Sequence, residues 1–160
     1  LDQFANADNY LAHERTTGPE IWRDTGGDVS HFVSAMGTTG TIMGVSRFLK
    51  AQNPAVQVVG TQPAPGSQIP GIRRWSPEFV PAIYQPERVD RLIEVSSAAA
   101  VSATRRLATE EGILAGMSGG GALAAALSVV DELTTRGETG TVVFIVPDRG
   151  ERYLSGDLFG

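Results

Sequence analysis

A chain of 160 residues, 41% hydrophobic and 19% charged, has the make-up of one globular domain with a real apolar core. Thirteen Lys plus Arg against eighteen Asp plus Glu leave a net charge of −5, which argues against a broad basic face for nucleic acid or an anionic membrane. The lack of cysteine removes disulfides, thiolate zinc sites and thiol nucleophiles and suits a reducing, cytoplasmic setting, and no apolar run approaches the ~20 residues that span a bilayer.

The opening, Leu1-Asp2-Gln3-Phe4, has neither an initiator Met nor the charged-then-apolar order of a signal peptide, so Leu1 reads as an interior point of a longer chain. His31-Phe32-Val33-Ser34-Ala35 is a strand candidate ending in a glycine turn. Ile42, Val45 and Leu49 then recur on one face of a helix closed before Pro54, and Val56-Gln57-Val58-Val59 follows as the next strand. That strand, helix, strand order has the length of a parallel pair with a helical crossover. Residues 62–90 hold six of the nine prolines, which excludes a continuous helix or central strand and predicts a long irregular connection, functional or mobile. Leu92-Ile93-Glu94-Val95 is a short strand; Ser96 or Ser97 then caps a helix lined by Ala100, Ala103 and Leu107 and ending at Gly112. Ala122, Leu123, Ala126, Leu127 and Val130 stripe the next helix. Val142-Val143-Phe144-Ile145-Val146, apolar throughout, predicts a strand buried on both faces of a parallel sheet. The expected fold is α/β, a parallel sheet with helices on both faces, in a single domain over 1–160.

Two glycine turns carry the chemistry. In Gly37-Thr38-Thr39-Gly40-Thr41 the glycines permit close backbone approach, the threonines offer hydroxyls, and a helix N-terminus follows. Such a turn can bind a phosphate without a lysine. It matches neither a P-loop, which wants Gly-Lys-Ser/Thr where the chain has Gly40-Thr41-Ile42, nor the dinucleotide fingerprint. The bland alternative is a tight strand-to-helix connection. The second turn, Gly116-Met117-Ser118-Gly119-Gly120, formally matches the nucleophile elbow of hydrolases. The histidines disagree: His13 and His31 both lie upstream, against the chain order that fold requires, and the helical alternation is wrong for barrel-type serine hydrolases. His31 then reads as strand packing and His13 as part of a solvated loop.

Four stretches together resemble the cysteine synthase family: Gly37 to Thr41; Gly66-Ser67-Gln68-Ile69-Pro70-Gly71-Ile72-Arg73-Arg74-Trp75; Glu111 to Gly120; and Asp148-Arg149-Gly150-Glu151-Arg152-Tyr153-Leu154-Ser155. Arg73-Arg74-Trp75 and the opening Leu1-Asp2-Gln3-Phe4 look like the B-type O-acetylserine sulfhydrylases, pyridoxal 5′-phosphate enzymes of the tryptophan-synthase-β fold. The resemblance covers the whole chain. It implies the large, cofactor domain of the fold-type II enzymes without its amino-terminal part. It also implies a cytoplasmic homodimer that joins O-acetylserine, or a similarly activated serine, to sulfide or thiosulfate, giving cysteine or S-sulfocysteine. Gly37, Thr38, Thr39, Gly40 and Thr41 match the cofactor-phosphate loop, and Ser118 the serine at the pyridine nitrogen. A neutral hydroxyl there would leave the ring a moderate electron sink, suited to β-elimination and replacement. Gln3 and Phe4 match residues beside the substrate carboxylate, Gly71 lies on the loop facing the cofactor, and Arg74 with Trp75 matches an entrance for bulkier anionic sulfur donors.

The family's cofactor lysine and its substrate-gripping Ser/Thr-Ser-Gly-Asn-Thr turn are missing. Lys50 is the sole lysine; nine residues past Thr41 on the same helix, it stands some ~14 Å along the axis from the phosphate turn and reads as a surface residue. No residue of the chain is therefore expected to be catalytic, no metal ligands are expected, and the fragment alone is expected to be inactive. At Gly119 relatives often carry a second serine, so the turn is looser here with the Ser118 hydroxyl retained. The remaining alternatives are a non-catalytic phosphate- or partner-binding half-domain and a sibling serine/threonine lyase on the same fold.

Overall fold

Adjacent fully buried residues in one strand need cover on two sides, and β1 (His31–Ala35) has such a pair in Phe32 and Val33. Phe32 packs with Ile42, Val45 and Leu49 of α3 (Gly40–Gln52), while Val33 packs with Ala125, Val129 and Leu133 of α5 (Met117–Arg136) and with Ala100 of α4 (Ser97–Glu110). The computed structural model describes residues 2–159; Leu1 of the opening motif lies outside the described residues. The described chain opens with two short helices, α1 (Asp8–Arg15) and α2 (Thr17–Asp24), both packed on α3.

The sheet has four parallel strands in the order β3-β2-β1-β4, where β2 is Gln57–Pro63, β3 Arg91–Val95 and β4 Val142–Phe144. Val33 is level with Val59 on one side and with Phe144 on the other. From β1 the chain crosses through α3 to β2 and on to β3; from β3 it returns through α4 and α5 to β4, on the opposite flank of β1. The order reverses between β1 and β4, and ligands of open α/β sheets bind at the carboxyl ends of the strands at such a switch.

Several elements fall where the sequence predicts them and others do not. β1 has its expected bounds, and Ser96 caps α4 by accepting from the Ala99 amide at 3.1 Å. β2 runs on to Pro63, into the proline-rich stretch, because β1 pairs with it only as far as Thr61, so that Pro63, level with Val95 of β3, has an edge position. The rest of that stretch is irregular but pinned: Ile69 and Ile72 are buried, and Ser97 exchanges hydrogen bonds with Ser67 and Gln68 at 2.9–3.2 Å. The strand expected over 142–146 is shorter and half-buried, with Val146 exposed, because β4 lies at the sheet's edge with one neighbour. On α5 the buried seam runs through Ala122, Ala125, Ala126, Val129 and Leu133, which leaves Val130 exposed. His13, expected in a solvated loop, is half-buried on α1. Among the described residues no helix is long and apolar enough to cross a membrane.

Candidate functional site

The turn after β1 opens at the switch point. Thr39, the N-cap of α3, is 3% exposed and left-handed at φ 73°, a conformation that costs a non-glycine residue about 1 kcal/mol or more. The Thr39 side chain makes no cap bond to α3, whose Gly40 amide donates to Thr38 Oγ1 at 3.4 Å, and the buried Thr39 Oγ1 has no hydrogen-bond partner. First-turn amides have no intrahelical acceptor either, so strain, an orphaned hydroxyl and free donors coincide at one helix head. Oxygens of a phosphate group could accept from these donors. The other two threonines are engaged: Thr38 Oγ1 accepts from Asn9 Nδ2 at 3.2 Å, and Thr41 Oγ1 lies 3.3 Å from His13 Nε2. No lysine or arginine hydrogen-bonds to the turn among the described residues.

Two further segments meet it. The 71–75 segment runs beside the end of β1, with the Arg73 amide donating to the Met36 carbonyl at 2.8 Å and Trp75 Nε1 to the Gly37 carbonyl at 2.9 Å. Gly71, at φ +86°, brings its carbonyl so close that a Cβ at Gly37 would lie 3.1 Å from it. A Cβ at Gly71 would in turn sit 3.0 Å from Ser118 Cβ and 3.2 Å from its hydroxyl. Gly37, Gly71 and Ser118 therefore form a contiguous row from the head of α3 to the head of α5. The 64–74 loop also walls an open cleft of about 550 Å³ that includes Gly71.

The other expected site residues are placed less directly. Asn9 Nδ2 also donates to the Gln3 carbonyl at 2.6 Å, so Asn9 ties the opening segment to Thr38. Phe4 meets Trp75 edge-on, with centroids 5.6 Å apart. Arg74 does not bond to the turn; its guanidinium pairs with Glu94 and donates to the Pro63 carbonyl at 3.3 Å. Lys50 is held by Asp90 at 2.7 Å, away from the turn.

Sequence reasoning gave no role to Asn9, Asp148 or Tyr153, and it placed Trp75 with Arg74 at an entrance, not on the Gly37 carbonyl. α1 buries none of its residues fully, so it has no periodicity to reveal it, and no local pattern links Asp148 to Ser118 thirty positions away. Burial lowers the pKa of His13 below 6.5, keeping it neutral between Thr41 and Thr17.

Residues 1–148 match the family model described as pyridoxal-phosphate dependent enzyme. The chain is 58% identical over 159 residues to cysteine synthase B of Pseudomonas aeruginosa, covering 99% of this chain and 52% of that protein. It is 52% identical to cysteine synthase B of Escherichia coli, again over 52% of the relative. Among solved structures, O-acetyl serine sulfhydrylase isoform 3 from Entamoeba histolytica superposes with a TM-score of 0.88 at 40% identity, covering 98% of this chain and 48% of that one. The O-acetylserine dependent cystathionine beta-synthase from Helicobacter pylori does so with a TM-score of 0.87 at 35% identity. The chain spans about half the length of the curated relatives it matches.

Proposed function

The chain belongs to the pyridoxal-phosphate dependent enzyme family, and on that footing we propose that it is the cofactor-cradling, carboxy-terminal half of an enzyme of the cysteine synthase B kind. The observation that carries this reading is the contiguous row from the orphaned Thr39 hydroxyl and α3 head, past Gly37 and Gly71, to Ser118. Pyridoxal phosphate, when bound, supplies the electron sink that stabilises negative charge at the substrate α-carbon. The protein's part is to hold and orient. The α3 amides and Thr39 would hold the phosphate, Ser118 would meet the ring nitrogen, and Gly71 would leave the space between them free of a side chain. Gln3 binds on the substrate side, where Asn9 anchors its backbone.

In the complete protein this half works with an amino-terminal half that brings the lysine for cofactor attachment and proton transfer. The substrates are O-acetylserine, or a similarly activated serine, and sulfide or thiosulfate; the products are cysteine or S-sulfocysteine. The complete protein is a cytoplasmic homodimer. Arg74 receives an anionic sulfur donor only in competition with Glu94, its present partner. By itself the chain is inactive, because its one lysine is committed to Asp90 on the surface.

The test is to express the chain alone and together with the amino-terminal half of the Pseudomonas aeruginosa relative, supplying pyridoxal phosphate, O-acetylserine and sulfide. Cysteine is expected only from the pair, and turnover by the chain alone overturns the reading. Serine and threonine as substrates separate it from a sibling lyase, which would release the corresponding keto acid.

A further inference from the structure

The proposed phosphate turn is met from α1 by two side chains, Asn9 and His13. One helical turn apart, they lie on one face of α1, and two glycines let that face settle on the head of α3: a Cβ at Gly40 would collide with the Asn9 amide, and one at Gly44 with the Tyr10 carbonyl. Asn9 thereby reaches the Thr38 hydroxyl, and His13 the Thr41 hydroxyl. The direction of each bond is set by a third group. Asn9 Nδ2 lies 2.6 Å from the Gln3 carbonyl, which only accepts, so the amide has its nitrogen toward both neighbours and donates its second proton to Thr38 Oγ1 at 3.2 Å. The Gly40 amide donates to the same oxygen at 3.4 Å. Thr38 Oγ1 accepts both bonds and keeps its own proton free. His13 is neutral at pH 7.5, since burial alone holds its pKa below 6.5, and a neutral imidazole has one donor and one acceptor. Its Nδ1 lies 2.9 Å from Thr17 Oγ1, and its Nε2 lies 3.3 Å from Thr41 Oγ1. Hydroxyls donate over shorter distances than N–H groups do, which makes Thr17 the donor to Nδ1 and leaves Nε2 to donate to Thr41.

We infer that Asn9 and His13 are positioning residues for a bound phosphate: by donating to Thr38 and Thr41 from α1, they leave each threonine its own proton to donate into the turn, beside the unpartnered Thr39 hydroxyl and the α3 amides. This rests on the proposed seating of a phosphate at the head of α3. Either bond reversed would commit the threonine proton to α1 and turn lone pairs toward the anion, weakening its hold. With both bonds in the stated direction, every group at the helix head offers a proton. A short helix that buries none of its residues fully thus contributes to the site through the threonines it orients.

The experiment uses the full chain, ¹⁵N-labelled, with inorganic phosphate and pyridoxal 5′-phosphate as probes. At pH 7.5 without ligand, imidazole NMR is expected to find the His13 proton on Nε2 and Nδ1 bare, with a His31→Gln variant to assign the signals. A proton on Nδ1 instead overturns the inference and leaves the phosphate site standing. His13→Leu is expected to weaken phosphate binding about fivefold, the worth of one hydrogen bond, and Asn9→Ala by a similar factor. Thr41→Val removes the hydroxyl that His13 orients, so in that background His13→Leu is expected to add little; Asn9→Ala is expected to add little to Thr38→Val. Losses that persist undiminished in the valine backgrounds mean that α1 only props the turn, and they overturn the inference too. The tautomer is read in the unaltered protein, so the outcome is decided even if a variant fails to fold. If neither probe binds the unaltered chain, the phosphate site falls and the inference falls with it.

Discussion

Thr39 concentrates the cost and the purpose of the proposed phosphate turn in one residue. Its left-handed backbone and buried, unpartnered hydroxyl both work against stability in the ligand-free chain. Thr39→Gly is therefore expected to stabilise the ligand-free chain by about 1 kcal/mol, raising its melting temperature by roughly 2–4 °C. The same change removes one hydrogen bond to phosphate, so affinity for pyridoxal phosphate should fall about fivefold. Calorimetric melts with and without the cofactor check both, and a substitution that lowers the melting temperature contradicts the assignment of strain. The histidines add a pH dependence. Burial holds both His13 and His31 below the ordinary value of 6.5, so just under 6.5 the unfolded chain binds more protons than the folded one. Stability is thus complete above about pH 6.5 and declines as the pH falls below it. Urea midpoints at pH 7.5 and 5.5 should show the decline, and a His13→Gln/His31→Gln double variant should flatten it. Thr39 and Ser118 stood out as candidates because each lies in a glycine-rich turn between a strand and a helix. Asn9 and Asp148 were not, because what they do depends on contacts across the fold.

At the level of elements, the 71–75 segment straps the Gly37–Thr41 turn, and Trp75 is its fastener. Trp75→Phe keeps a ring to pack on Phe4 but loses the bond to the Gly37 carbonyl, at an expected cost of about 1 kcal/mol in stability. Because the lost bond ends at the turn itself, affinity for inorganic phosphate should fall with it; a variant with weaker melting and unchanged phosphate binding would detach the strap from the site. α1 is held to α3 at Gly44, where a Cβ would meet the Glu14 amide and His13 Cβ at 2.7 Å. Gly44→Ala should therefore loosen α1 and with it the Asn9 tie to Thr38, a destabilisation of about 1–3 kcal/mol in a thermal melt. α3 and α4 were legible from period and caps. α1 and α2 were not, since they are held by docking onto α3 and not by amphipathic patterns of their own. β4 was misjudged for a physical reason: a uniformly apolar run signals burial on both faces, yet here it edges the sheet.

One flank of the sheet is left open among the described residues. The outer edge of β4 is unpaired, and Ile113, Leu114, Val130 and Val146 are 38–46% exposed. Unpaired apolar edges invite association. Alone, the chain is expected to self-associate in sedimentation velocity at micromolar concentration, and the amino-terminal half of a relative should disperse it into one species of defined mass. Fold class was readable from the order of apolar runs because a doubly wound parallel sheet writes itself as alternating strands and helices. The central claim concerns two remote turns gripping one small molecule, and an amide-resolved NMR titration tests it most directly. Pyridoxal phosphate should shift both the Gly40–Thr41 amides and the Ser118–Gly119 amides along a single binding curve, while inorganic phosphate shifts only the first pair. A cofactor that perturbs one turn and leaves the other untouched would contradict the account.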